Sequence, residues 1–263
     1  MRRFVLLSRH SQMIFAFFIL VGAQSAWADI SGLVKSHLSE DRKTLDLSGE
    51  KIGPEGATEL AEMGVLSSVE TLILQGNGIK AAGMHALGKS SYLSKLKNFD
   101  LWGNMLGDDG VKELVESPFL RNLEVLKLWK NEVGEDGVKL MAESNHFLRL
   151  QTLLLNDNLL TPVAVSMLAL SKGFPNMVTL GLFRNEIGDE GAMFLAEAKN
   201  FPELTHLYLG QNAISDTGAV ALIQSKYFPK LKQLDLTQNQ LGEATLKAVI
   251  KHGKNRKIQI VTR

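Results

Sequence analysis

Outside the first 28 residues the chain carries five histidines, His37, His85, His146, His206 and His252. Histidine is the residue type best suited to metal binding or general-base work near neutral pH. A zinc site or a base–nucleophile pair needs partners that return to one face, as in H-E-x-x-H along a helix. No two of these histidines have such a spacing, and no G-x-S-x-G elbow offers a nucleophilic serine. Acidic pairs at Asp108-Asp109, Glu135-Asp136 and Asp189-Glu190 supply the hard oxygen atoms that calcium accepts. Carboxylates are also favoured in the first turn of any helix, and the pairs read as solvated helix starts. Cysteine is absent, which excludes disulfides and thiolate-bound zinc or iron–sulfur clusters. The sequence points away from an enzyme, a metal centre and a cofactor.

Recognition chemistry is better represented. Trp102 and Trp129 stand 27 residues apart, and Phe183 lies 54 residues further on. Ile73, Leu154 and Tyr208 form a second set separated by multiples of the same interval. Lys127, Lys130 and Arg184 are interleaved with these side chains, and Asp46, Asp100, Asp157 and Asp235 are expected around their edges. Aromatic rings beside basic side chains are the usual composition of a protein-binding hot spot. They act together only if the backbone brings them to one surface, so the positioning elements decide the matter.

Those elements repeat. The segment Leu72-Ile73-Leu74-Gln75-Gly76-Asn77 recurs as Phe99 to Asn104, and again from Leu126, Leu153, Leu180, Leu207 and Leu234, with a weaker copy at Leu45 that ends in Glu50. Every step is 27 residues, which places Asn77, Asn104, Asn131, Asn158, Asn185, Asn212 and Asn239 in one column. Self-similarity at a fixed period of this length marks a solenoid. In each unit Leu123-x-x-Leu126-x-Leu128 and its equivalents alternate as a strand with one buried face does. Side chains at positions equivalent to 125, 127 and 129 then share the other face.

The second half of each unit has helical spacing. Leu60, Leu87, Leu114, Met141, Leu168, Leu195, Leu222 and Val249 form one apolar column. Ala57, Met84, Val111, Val138, Val165, Ala192, Ala219 and Leu246 form another three residues earlier, as a helix packed on a sheet requires. The asparagine column suits a hydrogen-bonded ladder, because buried asparagine must satisfy both donor and acceptor. Phe147, Phe174, Phe201 and Phe228, continued by Leu66, Leu93 and Leu120, read as a second stacked spine. One motif is spurious. Gly83-Met84-His85-Ala86-Leu87-Gly88-Lys89-Ser90 spells a P-loop, but Met84 and Leu87 occupy buried helix columns. Its lysine therefore falls at a helix C-terminus, where no phosphate cradle forms.

The pattern Leu-x-x-Leu-x-Leu-x-x-Asn-x-Ile-Gly-Asp-Glu-Gly-Ala, seen in Leu204 to Asn212 and Asn185 to Ala192, resembles the ribonuclease-inhibitor-like subfamily of leucine-rich repeats. The resemblance covers roughly residues 42–263. It implies an α/β right-handed solenoid, a horseshoe with a parallel sheet on the concave face and helices on the convex face. About eight units and a terminal strand are expected over 42–263, with Ile258 to Val261 as the last strand and residues 29–41 as an N-terminal cap around Ile30, Leu33, Val34 and Leu38. That last strand leaves an open edge at which a weak dimer could form.

Arg2, Arg3 and Arg9, the apolar run Met13 to Val21 and the Ala26-Trp27-Ala28 site read as a cleavable signal over residues 1–28. With no Asn-x-Ser/Thr sequon after it, the sequence points to a secreted or periplasmic bacterial protein with no stable membrane insertion after cleavage. Its removal leaves a net charge of −2, and no basic stripe supports nucleic-acid binding. The resulting expectation is a non-catalytic scaffold that binds a protein partner through Trp102, Trp129, Phe183, Tyr208, Ile73, Leu154, Lys127, Lys130 and Arg184. A glycan is the alternative ligand for the same surface. The resemblance also implies a regulator of a host enzyme or small GTPase, delivered as an effector. Relatives of the Ran GTPase activator usually add an acidic tail, where this chain ends in Lys257 to Arg263.

Overall fold

The computed structural model describes residues 29–253 and 258–262. The segment 1–28, read above as an export signal, lies outside them, as do Lys254, Arg256, Lys257 and Arg263. Strands and helices alternate along the described chain. The strands are β1 (Thr44–Asp46), β2 (Thr71–Ile73), β3 (Asn98–Asp100), β4 (Val125–Lys127) and β5 (Thr152–Leu154). They continue as β6 (Thr179–Gly181), β7 (His206–Tyr208), β8 (Gln233–Asp235) and β9 (Gln259–Val261). Helix α1 (Ile30–His37) precedes β1, followed by α2 (Gly53–Ala61), α3 (Lys80–Lys89), α4 (Gly107–Glu116) and α5 (Glu135–Glu143). The remaining helices are α6 (Pro162–Leu170), α7 (Gly188–Ala196), α8 (Asp216–Gln224) and α9 (Glu243–Ala248).

All nine strands lie in chain order in one parallel sheet. Pairing is in register at 27 residues from Thr44↔Thr71 through Leu207↔Leu234. Parallel strands sit ~4.8 Å apart whereas packed helices need 8–10 Å, so the stack must curve with the sheet inside and the helices outside. The strand leucines and the two helix columns meet between these layers, with Leu72, Leu126, Leu60 and Leu114 completely buried.

Polar ladders hold the units in register. The column asparagines, buried from Asn77 to Asn212 and half-buried at Asn239, join consecutive turns: Asn131 Oδ1 accepts from the Asn104 N–H at 3.0 Å, and Asn131 Nδ2 donates to the Leu101 carbonyl at 2.9 Å. A second ladder is less visible in the sequence. Ser117 Oγ donates to the Gly88 carbonyl and Ser171 Oγ to the Ala142 carbonyl, both at 2.6 Å, satisfying helix-end carbonyls of the preceding unit. Ser90 and Ser225 do the same for Ala61 and Ala196. The phenylalanine spine is buried throughout, and the Phe147 and Phe174 rings stack at 6.1 Å.

Two of the acids expected as solvated helix starts, Asp108 and Asp189, are instead engaged across units, and Asp216 behaves as they do. Asp108 Oδ1 accepts from the Gly134 N–H at 2.7 Å, across to the start of the next helix. Asp189 accepts from the Ser215 and Gly218 amides and the Ser215 hydroxyl. Asp216 accepts from the amides of Gly242, Ala244 and Thr245 and the Thr245 hydroxyl. Each carboxylate thus caps its neighbour's helix. The Thr245 hydroxyl and the Gly242 amide hold the Asp216 carboxyl at about 2, well below the usual range. Partial burial opposes the shift at Asp189, and the hydrogen bonds from Ser215 and Gly218 outweigh it and lower that pKa too.

The final unit corrects the expectation of an unvarying interval. Leu234 pairs with Ile260, a step of 26, and a wide π turn over Val249–Gly253 follows α9. Thr245 and Ala248 are the buried residues of α9, while Leu246, expected in the core column, is exposed, with no helix packed over it among the described residues. At the other end α1 places Ile30 and Val34 in the core, and Leu38 bridges Leu45 in antiparallel fashion. Gly83 and Lys89 both lie inside α3, with Lys89 in its last turn, so the P-loop spelling has no strand-to-helix loop.

Candidate binding surface

The sheet's open face carries three side-chain columns, because each short strand presents alternate residues away from the helices. The column through Trp102 and Trp129 begins just after the strands, and its backbone is held on both sides. The Gly76 amide donates to the Trp102 carbonyl at 2.7 Å, and the Gly103 amide to the Trp129 carbonyl at 2.8 Å. At the next residue the chain turns through the left-handed region in every unit. Gly49, Gly76 and Gly103 take it first, then Lys130, Asp157, Arg184, Gln211 and Gln238 with φ between 52° and 58°. A side chain in this conformation costs about 1 kcal/mol. Lys130 and Arg184 are thereby carried to the exposed rim, where Arg184 Nε lies 3.7 Å from Asp157 Oδ1.

Trp102 is 43% and Trp129 39% exposed, on adjacent strand ends. The two indoles do not stack on each other; together with Gln75, Asp100, Lys127 and Leu154 they line a groove of about 330 Å³. Its floor is polar. Asp100, expected at the edge of the patch, is buried at the centre. Its Oδ2 accepts from Gln75 Nε2 at 2.8 Å and from Lys127 Nζ at 2.9 Å, and its Oδ1 accepts from the Trp102 amide at 3.2 Å. The carboxylate is buried because Gln75 and Lys127 flank it in the neighbouring units and supply the donors that burial demands.

Not every expected residue joins this groove. Trp102, Trp129, Lys127 and Leu154 do. Ile73, half-buried on β2, lies outside its lining. Phe183 and Tyr208 belong to a second cluster on β6 and β7, up to four strands or about 20 Å from Trp102. There His206 stacks with Tyr208 at 6.3 Å, a contact that the scattered positions of the histidines did not suggest. Glycines shape the space between the clusters. A Cβ at Gly210 would meet the Phe183 ring at 2.6 Å, and one at Gly181 would meet Leu154 at 2.8 Å. They are the glycines of their two columns, and each lets the larger side chain of the preceding unit lie down over the backbone. Gln75 and Asp100 share columns with Trp102 and Lys127, the signal by which the sequence places them on this face.

A leucine-rich-repeat family model matches residues 175–196 and 202–222. No curated protein matches the sequence. Among solved structures, internalin C2 from Listeria monocytogenes strain 4b F2365 superposes with a TM-score of 0.49 at 22% identity, over 75% of this chain and 82% of that chain. The two matched segments are consecutive units of an array whose strands pair at 27-residue steps from β1 to β8, each turn joined to the next by a column asparagine. The chain folds as an α/β leucine-rich-repeat solenoid, with the family's repeat matched at residues 175–196 and 202–222.

Proposed function

We propose that the protein is a binding scaffold without catalytic activity, and that it grips a protein partner on the open face of its sheet. The observation that carries the reading is the pair of indoles, 43% and 39% exposed, flanking a groove on a surface where solvent-facing strand residues are ordinarily polar. Large rings held by a rigid backbone lose little entropy on binding, which is why tryptophan dominates hot spots. Asp100 is occupied by three donors and its neighbour Lys127 by that carboxylate, so the groove offers orientation and charge but no free general base. Phe183 and Tyr208, with Lys130 and Arg184 on the rim, extend the contact surface along the sheet.

The export reading rests on the basic and apolar segment 1–28, and it places the partner in the periplasm or outside the cell. The test uses the chain as the cell processes it, immobilised and exposed to native envelope and medium fractions. Trp102→Ala with Trp129→Ala is expected to abolish capture, with the far-UV circular dichroism unchanged. Capture unaffected in the folded double variant refutes the surface assignment. A glycan array is the companion experiment. Indoles above a carboxylate–amide floor also suit a sugar ring, and specific glycan retention lost in the same variant would reassign the ligand class.

A further inference from the structure

The outer, helical face changes character along the solenoid. Residues equivalent to 109, 112, 113 and 116 point outward in each unit. In α4 these are Asp109, Lys112, Glu113 and Glu116, and in α2 they are Glu55, Thr58, Glu59 and Glu62. In α6 the same positions hold Val163, Ser166, Met167 and Leu170, with Leu170 81% exposed. Helix α7 contributes Met193 and Phe194, both exposed, and α8 adds the half-buried Val220 and Ala221. Helix α6 is thus apolar on every side except at Ser166, whose hydroxyl donates to the Val163 carbonyl, close to the composition of a covered helix. Three nine-residue helices, ~13 Å long and ~9 Å apart, make this a patch of a few hundred Å², the size at which apolar surface marks a contact.

Charge borders the patch unevenly. Lys172, Lys199 and Lys226 form an exposed row beyond the C-termini of α6, α7 and α8, and none of them is ion-paired among the described residues. Lys199 and Lys226 both lie over the Tyr227 ring, at 5.4 and 5.3 Å. Glu143 and Glu197 are the acids near that border. The opposite border, at the helix N-termini, carries Asp189 and Glu190 on α7 and Asp216 on α8, with Asp136 on the flanking α5 and no acid in the first turn of α6; Asp189 and Asp216 are occupied in capping. The surface therefore runs from acidic through apolar to basic along the helix direction.

We infer that this face docks a second copy of the same chain. A two-fold axis in the contact plane, crossing the helices at right angles, reverses the helix direction. That operation lays Lys199 and Lys226 of each copy over the acidic starts of α7 and α8 of the other and seals the apolar strip between them, as an isologous interface requires. A flat membrane or an unrelated helix would meet the lysine row but find no counterpart for the acidic border. The contact is smaller than the ~800 Å² per partner of a standard interface, so the dimer is weak, of micromolar order. The sheet groove faces the other way and stays open in both copies.

Sedimentation velocity of the processed full chain across ~1–100 µM tests the assignment. The expected result is a concentration-dependent dimer, weakened at least tenfold by Leu170→Glu and by Phe194→Glu with unchanged circular dichroism. Lys199→Glu should weaken it and Glu190→Lys should restore it in the double variant. A monomer throughout overturns the proposal, as does a dimer indifferent to these substitutions, which would be edge pairing through β9. Retention of the monomer on phosphatidylglycerol vesicles through Leu170 would overturn it in favour of a membrane surface. The Trp102→Ala and Trp129→Ala double variant should dimerise normally, which separates this test from that of the groove.

Discussion

Replacing Asn131 by alanine tests the asparagine ladder, because the loss can be worked through atom by atom. Asn131 Oδ1 accepts from the Asn104 amide at 3.0 Å and the Leu106 amide at 3.4 Å, and both donors are buried. Its Nδ2 donates to the carbonyls of Leu101 and Trp129. Those carbonyls keep partners in the variant, Leu101 from Asn104 Nδ2 and Trp129 from the Gly103 amide. Two buried N–H groups lose their acceptor. At about 1–3 kcal/mol for each stranded donor, and with the 3.4 Å bond the weaker of the two, Asn131→Ala should cost about 3 kcal/mol. Asn77 is the internal control. Its Oδ1 accepts from a single amide of the preceding unit, Ile52 at 3.3 Å, so Asn77→Ala should cost about 1 kcal/mol. Urea unfolding followed by circular dichroism measures both losses at a common slope. A broken internal link can also uncouple the units, so hydrogen exchange at Asn104 and Leu106 provides the local readout. A loss below 1 kcal/mol for Asn131→Ala, or equal losses for the two variants, would refute the ladder as a main stabiliser of the stack.

Acid should loosen the C-terminal end. The folded Asp216 carboxyl sits at about 2 against an ordinary 3.8, so its contribution is complete above pH 4 and is lost as pH falls towards 2. Amide protection at Gly242, Ala244 and Thr245 should fall over that window, and Asp216→Ala should remove the pH dependence; protection unchanged down to pH 2 would contradict the capping role. In the aromatic spine, Phe174→Ala should cost about 3–5 kcal/mol and Phe174→Leu much less, since Leu66, Leu93 and Leu120 fill that slot in earlier units. Equal losses on urea unfolding would show that the ring contact with Phe147 matters more than filling the slot.

The curved stack was legible in the amino acids alone, since a residue type every 27 positions can be buried in only one way if units lie side by side. The buried columns of leucine, asparagine and phenylalanine follow from that period, as does the presence of Trp102 and Trp129 on one face. Contacts between neighbouring units were not legible, because they depend on which side chain leans towards which neighbour. Asp100 became the floor of the groove only when Gln75 and Lys127 supplied its donors. Asp108 and Asp189 turned from solvated helix starts into caps of the following helix once the units were adjacent, and Asp216 does the same. The 26-residue step from Leu234 to Ile260 and the exposure of Leu246 likewise appear only in the folded chain, in the last described unit. Periodicity settles what is buried, since burial answers to hydrophobicity summed over many copies. Side-chain reach across a strand spacing of ~4.8 Å settles which polar groups meet, and only the folded chain expresses it.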